Sequence, residues 1–185
     1  MNLQKKQRNN SKVNTATTRL TTVLSIIYLI ALYWILLLKL GVRFSYMGTR
    51  KINLTPFSEP LILNGKVDVS EIILNVVIFV PLGIYAGILF ESWVFGKKLF
   101  LFFLISLIVE GLQFILAVGA FDITDIITNT LGGIIGLMIF KAIEKAFNNS
   151  VKAQKFINII AAIGTVLMFL FLMLLKMDML PVKYK

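Results

Sequence analysis

Long apolar runs alternate with short polar or basic segments along the 185 residues of this chain. A helix needs roughly 17–25 apolar residues to cross the hydrocarbon core of a bilayer, and five runs meet that requirement. The pattern therefore predicts an all-α integral membrane protein, a bundle of about five transmembrane helices with one longer outer loop between the first two. The runs cover about residues 20–40, 70–90, 98–118, 123–140 and 156–175.

The same pattern predicts the organisation of the chain. Residues 1–19 are polar and basic, and are expected to form a disordered cytoplasmic tail before the first transmembrane helix at 20–40. Residues 41–140 form the predicted core, which consists of the outer loop and three helices. A basic cytoplasmic linker at 141–155 leads to the fifth helix and a tail at 156–185. Within the core, the Asp-Val-Ser-Glu sequence that ends at Glu71 resembles a capping box at the start of the second helix.

Charge and composition narrow the class of protein. The chain is 58% hydrophobic and has a net charge of +10, but its basic residues are scattered between apolar runs, which argues against nucleic-acid binding. With five spans and a cytoplasmic amino terminus, eleven Lys and Arg residues lie inside and eight outside. Basic residues favour the cytoplasmic side of a membrane, so this orientation is expected.

The absence of two residue types limits the possible chemistry. The chain has no cysteine and no histidine. Disulfides, thiol nucleophiles, Ser–His hydrolysis and histidine-ligated zinc are therefore excluded. Any catalysis would use carboxylates, amides, hydroxyls, lysine or a hard cation held by oxygen atoms.

The fourth apolar run carries an unusual set of polar residues. Asp122, Asp125 and Asn129 are spaced i, i+3 and i+7, which places them on one stripe of a helix. Gly132 and Gly136 follow on the same flank and would allow another helix to approach closely. Aspartate near the centre of a membrane helix costs roughly 2.5–3.5 kcal/mol on insertion scales, so such residues usually face a protein interior or a wet cavity.

Polar residues on the second and third helices fall at a similar depth. Asn75 lies about one turn below the outer end of the second helix, and Glu110 and Gln113 lie one to two turns below the outer end of the third. We therefore expect one outward-facing polar layer. Its predicted site residues, together with two from the outer loop, are Glu110, Gln113, Asp122, Asp125, Asn129, Asn75, Arg50 and Asn53.

Simpler roles exist for several of these residues. Asp122 is well placed as a helix N-cap, Asn75 and Gln113 could hold helices together, and the glycines suit close packing. Glu110 is the strongest functional candidate, because a buried carboxyl must be protonated, paired or functional. Arg50 or the neighbouring lysine of the outer loop could pair with it.

Four short motifs follow one another along the chain. They are Asn-Leu-x-Pro-Phe at 53–57, Asn75 with Phe79-x-Pro-Leu-Gly, Glu110-x-x-Gln, and Asp122-x-x-Asp with Asn129-Thr-Leu-Gly. In this order they resemble the VanZ-like family, which is named for an accessory protein of glycopeptide-resistance clusters that confers resistance to teicoplanin. The resemblance covers about residues 50–140 and implies a small bacterial membrane protein that affects glycopeptide susceptibility. Many members carry a basic residue before the Phe-Asp pair, where this chain has Gly119 and Ala120.

Several functions are compatible with the predicted layer. The first is binding of an outer-leaflet ligand, such as a cell-wall lipid precursor or a lipoglycopeptide, in contact with membrane lipids and without a cofactor. The second is an enzyme acting on a polyprenyl-linked or phospholipid head group, with a divalent cation held by Glu110, Asp122 and Asp125. A proton-linked carrier is the third, although the chain lacks the internal repeat common in transporters. A polar core that only holds helices together ranks ahead of the enzyme.

Overall fold

The computed structural model describes residues 2–38, 51–57, 62–63, 66–67 and 69–176. Five helices account for most of this part of the chain, and each contains a segment long and apolar enough to cross a membrane. The predicted all-α membrane protein with five spans is therefore confirmed. The helices are α1 Asn2–Leu38, α2 Ser70–Leu89, α3 Phe95–Ile115, α4 Ile123–Phe147 and α5 Ser150–Lys176.

Four two-residue strands accompany the helices. The strands β1 (Ile52–Asn53) and β4 (Phe121–Asp122) pair in parallel, so a segment of the loop between α1 and α2 lies beside the residues that lead into α4. The strands β2 (Ile62–Leu63) and β3 (Lys66–Val67) pair antiparallel with Leu63 opposite Lys66. The predicted turn residues Asn64 and Gly65 lie outside the described residues.

One local expectation at a helix start is wrong. The basic amino-terminal segment, expected to be disordered, is helical from Asn2 and continues without a break into the apolar part of α1. The expected capping box includes Asp68, which lies outside the described residues, and α2 begins at Ser70. Glu71 still lies in the first turn of α2, where a negative charge interacts favourably with the helix dipole.

The chain divides into two compact units. The central unit runs from Leu29 to Lys141, and the terminal unit joins the chain up to Tyr28 with the chain from Ala142. The core of the central unit contains Phe79 from α2 and Phe102 from α3, both fully buried. Two apolar side chains thus fill the space between helices that also carry the polar residues of the predicted site.

Glycines bring α2 and α4 into close contact in the central unit. A Cβ atom on Gly136 would overlap the carbonyl oxygen of Val80, and one on Gly83 would overlap that of Gly133. One on Gly132 would likewise overlap a backbone carbonyl of α2. The predicted packing role of these glycines is therefore confirmed, and their close approach sets the spacing of the two helices that carry Asn75 and Asp125.

Candidate functional site

Hydrogen bonds hold residues 51–57, a segment of the loop between α1 and α2, against the start of α4. The amide of Phe121 donates to the carbonyl of Lys51 at 3.0 Å, and the amide of Phe57 donates to Thr124 Oγ1 at 3.0 Å. Between them, Asn53 Nδ2 donates to Asp122 Oδ2 at 3.0 Å. Asn53 and Asp122 are also opposite each other in the β1–β4 pair. The loop therefore forms one edge of the predicted polar layer.

Both oxygens of the Asp122 carboxylate accept hydrogen bonds. Oδ1 accepts the amide of Thr124 at 2.7 Å, which is the geometry of a helix N-cap at the start of α4. The predicted capping role is therefore confirmed. Because Oδ2 accepts from Asn53, the same carboxylate also fixes the loop to the helix. Asp122 remains half-buried, so it lies near the surface of the layer.

Glu110 lies beneath this contact. Only 2% of its surface is exposed, and Oε2 accepts the backbone amide of Asp122 at 3.2 Å. The carboxylate thus receives a donor that would otherwise be left unsatisfied before the helix begins. Glu110 therefore connects the middle of the bundle with the segment that carries Asp122, and a sealed side chain of this kind positions the site more readily than it contacts a ligand.

The predicted stripe on α4 contacts two different helices. Asp125 Oδ1 accepts from Asn75 Nδ2 on α2 at 2.7 Å, a short distance typical of a hydrogen bond to a charged acceptor. One turn further, Asn129 Nδ2 donates to Ser106 Oγ on α3 at 2.9 Å. Asp125 is half-buried, whereas 1% of Asn129 is exposed. The stripe therefore joins α4 to both neighbouring helices, and its outer carboxylates are the accessible ones.

Two buried polar atoms of α4 have no hydrogen-bond partner among the described residues. They are Oδ1 of Asn129 and Oγ1 of Thr130. A buried polar group without a partner costs about 1–3 kcal/mol, and native proteins hold few of them. The polar layer is therefore not saturated by its own hydrogen bonds.

Gln113 is the remaining predicted site residue that the structure describes. Gln113 donates from Nε2 to the carbonyl of Leu36 on α1 at 2.9 Å, so its amide binds a neighbouring helix. Arg50, the expected counter-charge, lies outside the described residues. The Lys51 side chain is exposed, and its backbone carbonyl is the part that contacts the site.

Sequence reasoning misses Thr124, which is buried and accepts the amide of Phe57. The sequence signal that could have identified Thr124 is a hydroxyl residue in the first helical turn after a capping aspartate. Within the described residues, no group of three or more His, Cys, Asp or Glu side chains is arranged so that it could hold a metal ion. The set of Glu110, Asp122 and Asp125 is thus not gathered as a cation site, and the metal-dependent enzyme is not favoured.

Comparison with known proteins now gives the family. The VanZ/LLP1 family model matches residues 25–147, which include the outer loop, α2, α3 and α4. The chain is similar to Protein VanZ of Enterococcus faecium, with 37% identity over 150 residues that cover 79% of this chain and 86% of that protein. No solved structure matches the chain. The extent of both matches shows that this chain belongs to the VanZ/LLP1 family.

Proposed function

We propose that this protein lowers the susceptibility of a bacterium to teicoplanin through an outward-facing polar site. Membership of the VanZ/LLP1 family supports the link to glycopeptide resistance. The site is supported by one observation above all: two half-buried carboxylates, Asp122 and Asp125, lie at the start of α4 and are held by amides from a loop and from α2.

The proposed ligand is either a component of the outer leaflet, such as a cell-wall lipid precursor, or a molecule that inserts into it, such as the lipoglycopeptide itself. Its polar part would present ammonium, amide or hydroxyl donors to the carboxylates of Asp122 and Asp125. A carboxylate oxygen has two lone pairs and accepts such donors strongly when water is partly excluded. Glu110 acts as a positioning residue in this proposal, because it is sealed and holds the amide of Asp122.

The resistance proposal is tested by measuring the growth of a susceptible Gram-positive host in each antibiotic, with and without expression of the protein. Expression should raise tolerance to teicoplanin selectively, with little change for vancomycin. Asp125→Asn should abolish the effect at normal protein abundance, because the amide keeps a carbonyl acceptor for Asn75 but loses the charge. Glu144→Gln serves as the matched control, since Glu144 lies in the last part of α4, outside the site. Equal tolerance to both antibiotics, or none to either, would refute the resistance proposal.

Topology tests examine whether the site faces outward. With the amino terminus in the cytoplasm, alkaline phosphatase fused after Val118 should be active, and a fusion after Lys145 should be inactive. Alkaline phosphatase becomes active only outside the cytoplasm, so its activity shows on which side of the membrane the fusion point lies. The reverse pattern would place Asp122 on the cytoplasmic side and remove the reason for an outer-leaflet ligand.

A further inference from the structure

The outer-loop segment at residues 51–57 has a fixed backbone and an exposed apolar surface. Its side chains alternate: Asn53 turns towards Asp122, whereas Ile52 is 60% exposed and Leu54 is 67% exposed. Phe57 is 54% exposed although its amide is bonded to Thr124. Contact between exposed apolar side chains and water is unfavourable. A loop held firmly with such side chains outward therefore suits a partner that covers them.

The backbone of Phe57 strengthens this observation. Its φ is 55°, a left-handed conformation that residues other than glycine rarely adopt. The hydrogen bond to Thr124 holds the residue in this conformation while its ring remains exposed. An aromatic ring kept outward at some conformational cost is a feature expected of a binding contact.

The depth of the loop in the membrane follows from its attachment to α4. At a rise of about 1.5 Å per residue, the helix from Ile123 to Lys141 is about 27 Å long, close to the hydrocarbon thickness of about 30 Å. Lys141 is exposed and therefore suits the polar boundary at one side. Thr124, to which the loop is bonded, then lies at the opposite boundary.

We propose that residues 51–57 form an interfacial anchor, in which Ile52, Leu54 and Phe57 insert between the head groups and the acyl chains of the surrounding bilayer. Lys51 is exposed beside them and extends its ammonium towards lipid phosphates. The anchor keeps Asn53 against Asp122, so the outer edge of the polar layer is tied to the membrane surface. This inference concerns lipid contact and holds whether or not the protein affects antibiotics.

Tryptophan fluorescence in vesicles tests the anchor. The two native tryptophans are replaced (Trp34→Phe, Trp93→Phe), and single tryptophans are introduced as Leu54→Trp or Phe57→Trp in the full chain. Vesicles of phosphatidylglycerol and phosphatidylcholine carry bromine either high or low on the acyl chains. Ile160→Trp is the control for deep lipid contact, because Ile160 is exposed near the middle of the span Ser150–Leu170. Thr55→Trp is the control within the loop, since Thr55 is exposed but polar.

The anchor predicts blue-shifted emission for Leu54→Trp and Phe57→Trp, with stronger quenching by shallow than by deep bromine. Ile160→Trp should show the opposite preference. Three results would overturn the proposal: quenching by aqueous iodide with none by bromolipid, blue-shifted emission that neither reagent quenches, or deeper quenching than for Ile160→Trp. The second of these would mean that protein covers the loop, and the third that the loop enters the bilayer core. Each outcome is read without an antibiotic, so failure here is separate from failure of the resistance proposal.

Discussion

Among the described residues, each of the two units contains a network of polar side chains, and the two networks differ in composition. In the terminal unit, Thr21 Oγ1 donates to Asn158 Oδ1 at 2.9 Å and accepts from Gln154 Nε2 at 2.8 Å, and Asn158 Nδ2 donates to the carbonyl of Thr17 at 3.1 Å. This network is neutral and joins only α1 and α5. The network of the central unit contains the carboxylates of Glu110, Asp122 and Asp125, and joins three helices and a loop.

The difference indicates what helix packing alone requires. Hydroxyl and amide side chains suffice to hold α1 against α5, and such contacts are worth about 0.6–2 kcal/mol each in membranes. Carboxylates are far more costly in a bilayer than amides, so packing does not explain why the central unit uses three. The two buried atoms without a partner, in Asn129 and Thr130, also belong to the central unit. Of the two networks, only the central one therefore contains the carboxylates that the proposed binding site requires.

The largest effect is expected at Glu110, where two substitutions distinguish a role of the side-chain charge from a role in packing. Glu110→Gln keeps an oxygen that can accept the amide of Asp122, but it removes the charge. We predict that teicoplanin tolerance is lost at normal abundance. Glu110→Ala removes the acceptor as well and should lower abundance, since a buried amide left without a partner costs about 1–3 kcal/mol and the truncated side chain leaves a cavity. Immunoblots of membranes beside growth curves measure both quantities.

Full tolerance with Glu110→Gln at wild-type abundance would contradict the charged site and make the two networks equivalent. Gln154→Glu is the reciprocal test in the terminal unit. It places a carboxylate among hydroxyl and amide groups that form a neutral network, and 9% of Gln154 is exposed. We expect lower abundance there, because no charged function offsets the desolvation of the new carboxylate.

The second prediction compares glycines in the two units. Gly136→Ala would force a Cβ atom against the backbone of α2, and overpacking of this kind typically costs about 1–3 kcal/mol. Gly164→Ala on α5 is the matched control, because a Cβ atom there would meet open space and alanine favours a helix. Thermal unfolding in detergent should show a clear loss of stability for the first variant and none for the second. Equal stability of the two would disprove the close α2–α4 contact.

The third prediction concerns the neutral network. Asn158→Ala removes two hydrogen bonds and should lower the free energy of unfolding by about 1–4 kcal/mol, twice the value of a single contact. Once corrected for abundance, teicoplanin tolerance should remain unchanged. Ile159→Ala, at an exposed neighbouring position, is the control for changes to α5 that leave the network intact. A loss of tolerance with Asn158→Ala at normal abundance would assign a functional role to the terminal unit.

The sequence predicted the parts of the fold that depend on hydrophobicity and helical period. Five spans follow from the length of the apolar runs, and the stripe of Asp125 and Asn129 follows from spacing along one helix. The cap at Asp122 follows from a short polar side chain before an apolar helix. Each of these signals is local, so it can be recognised within one segment without knowing which other segments pack against it.

Contacts between distant segments were not available from the sequence in the same way. Nothing local shows that Gln113 binds the carbonyl of Leu36, or that Thr21 and Asn158 meet across 137 residues. Thr17 stood in a segment whose basic residues indicated a disordered tail, although it belongs to the same long helix as Thr21. Their partners on α5 decide their role, and tertiary packing of this kind overrides local composition.

The smallest expected effect compares two residues with positive φ, one in each unit. Ala117 (φ 54°) follows α3, where its amide bonds to the carbonyl of Phe114 and the amide of Val118 bonds to that of Gln113. These are the two hydrogen bonds of a Schellman motif, and the position usually holds glycine. Asn148 (φ 46°) follows α4, and asparagine tolerates this conformation far better than alanine. Ala117→Gly should therefore raise the free energy of unfolding by about 0.5–1 kcal/mol, the strain relieved less the greater flexibility of glycine in the unfolded chain. Asn148→Gly should change it little, and apparent melting temperatures in detergent test the order. A gain for Asn148→Gly that equals or exceeds that for Ala117→Gly would show that side-chain contacts, and not backbone strain, decide stability at these two helix ends.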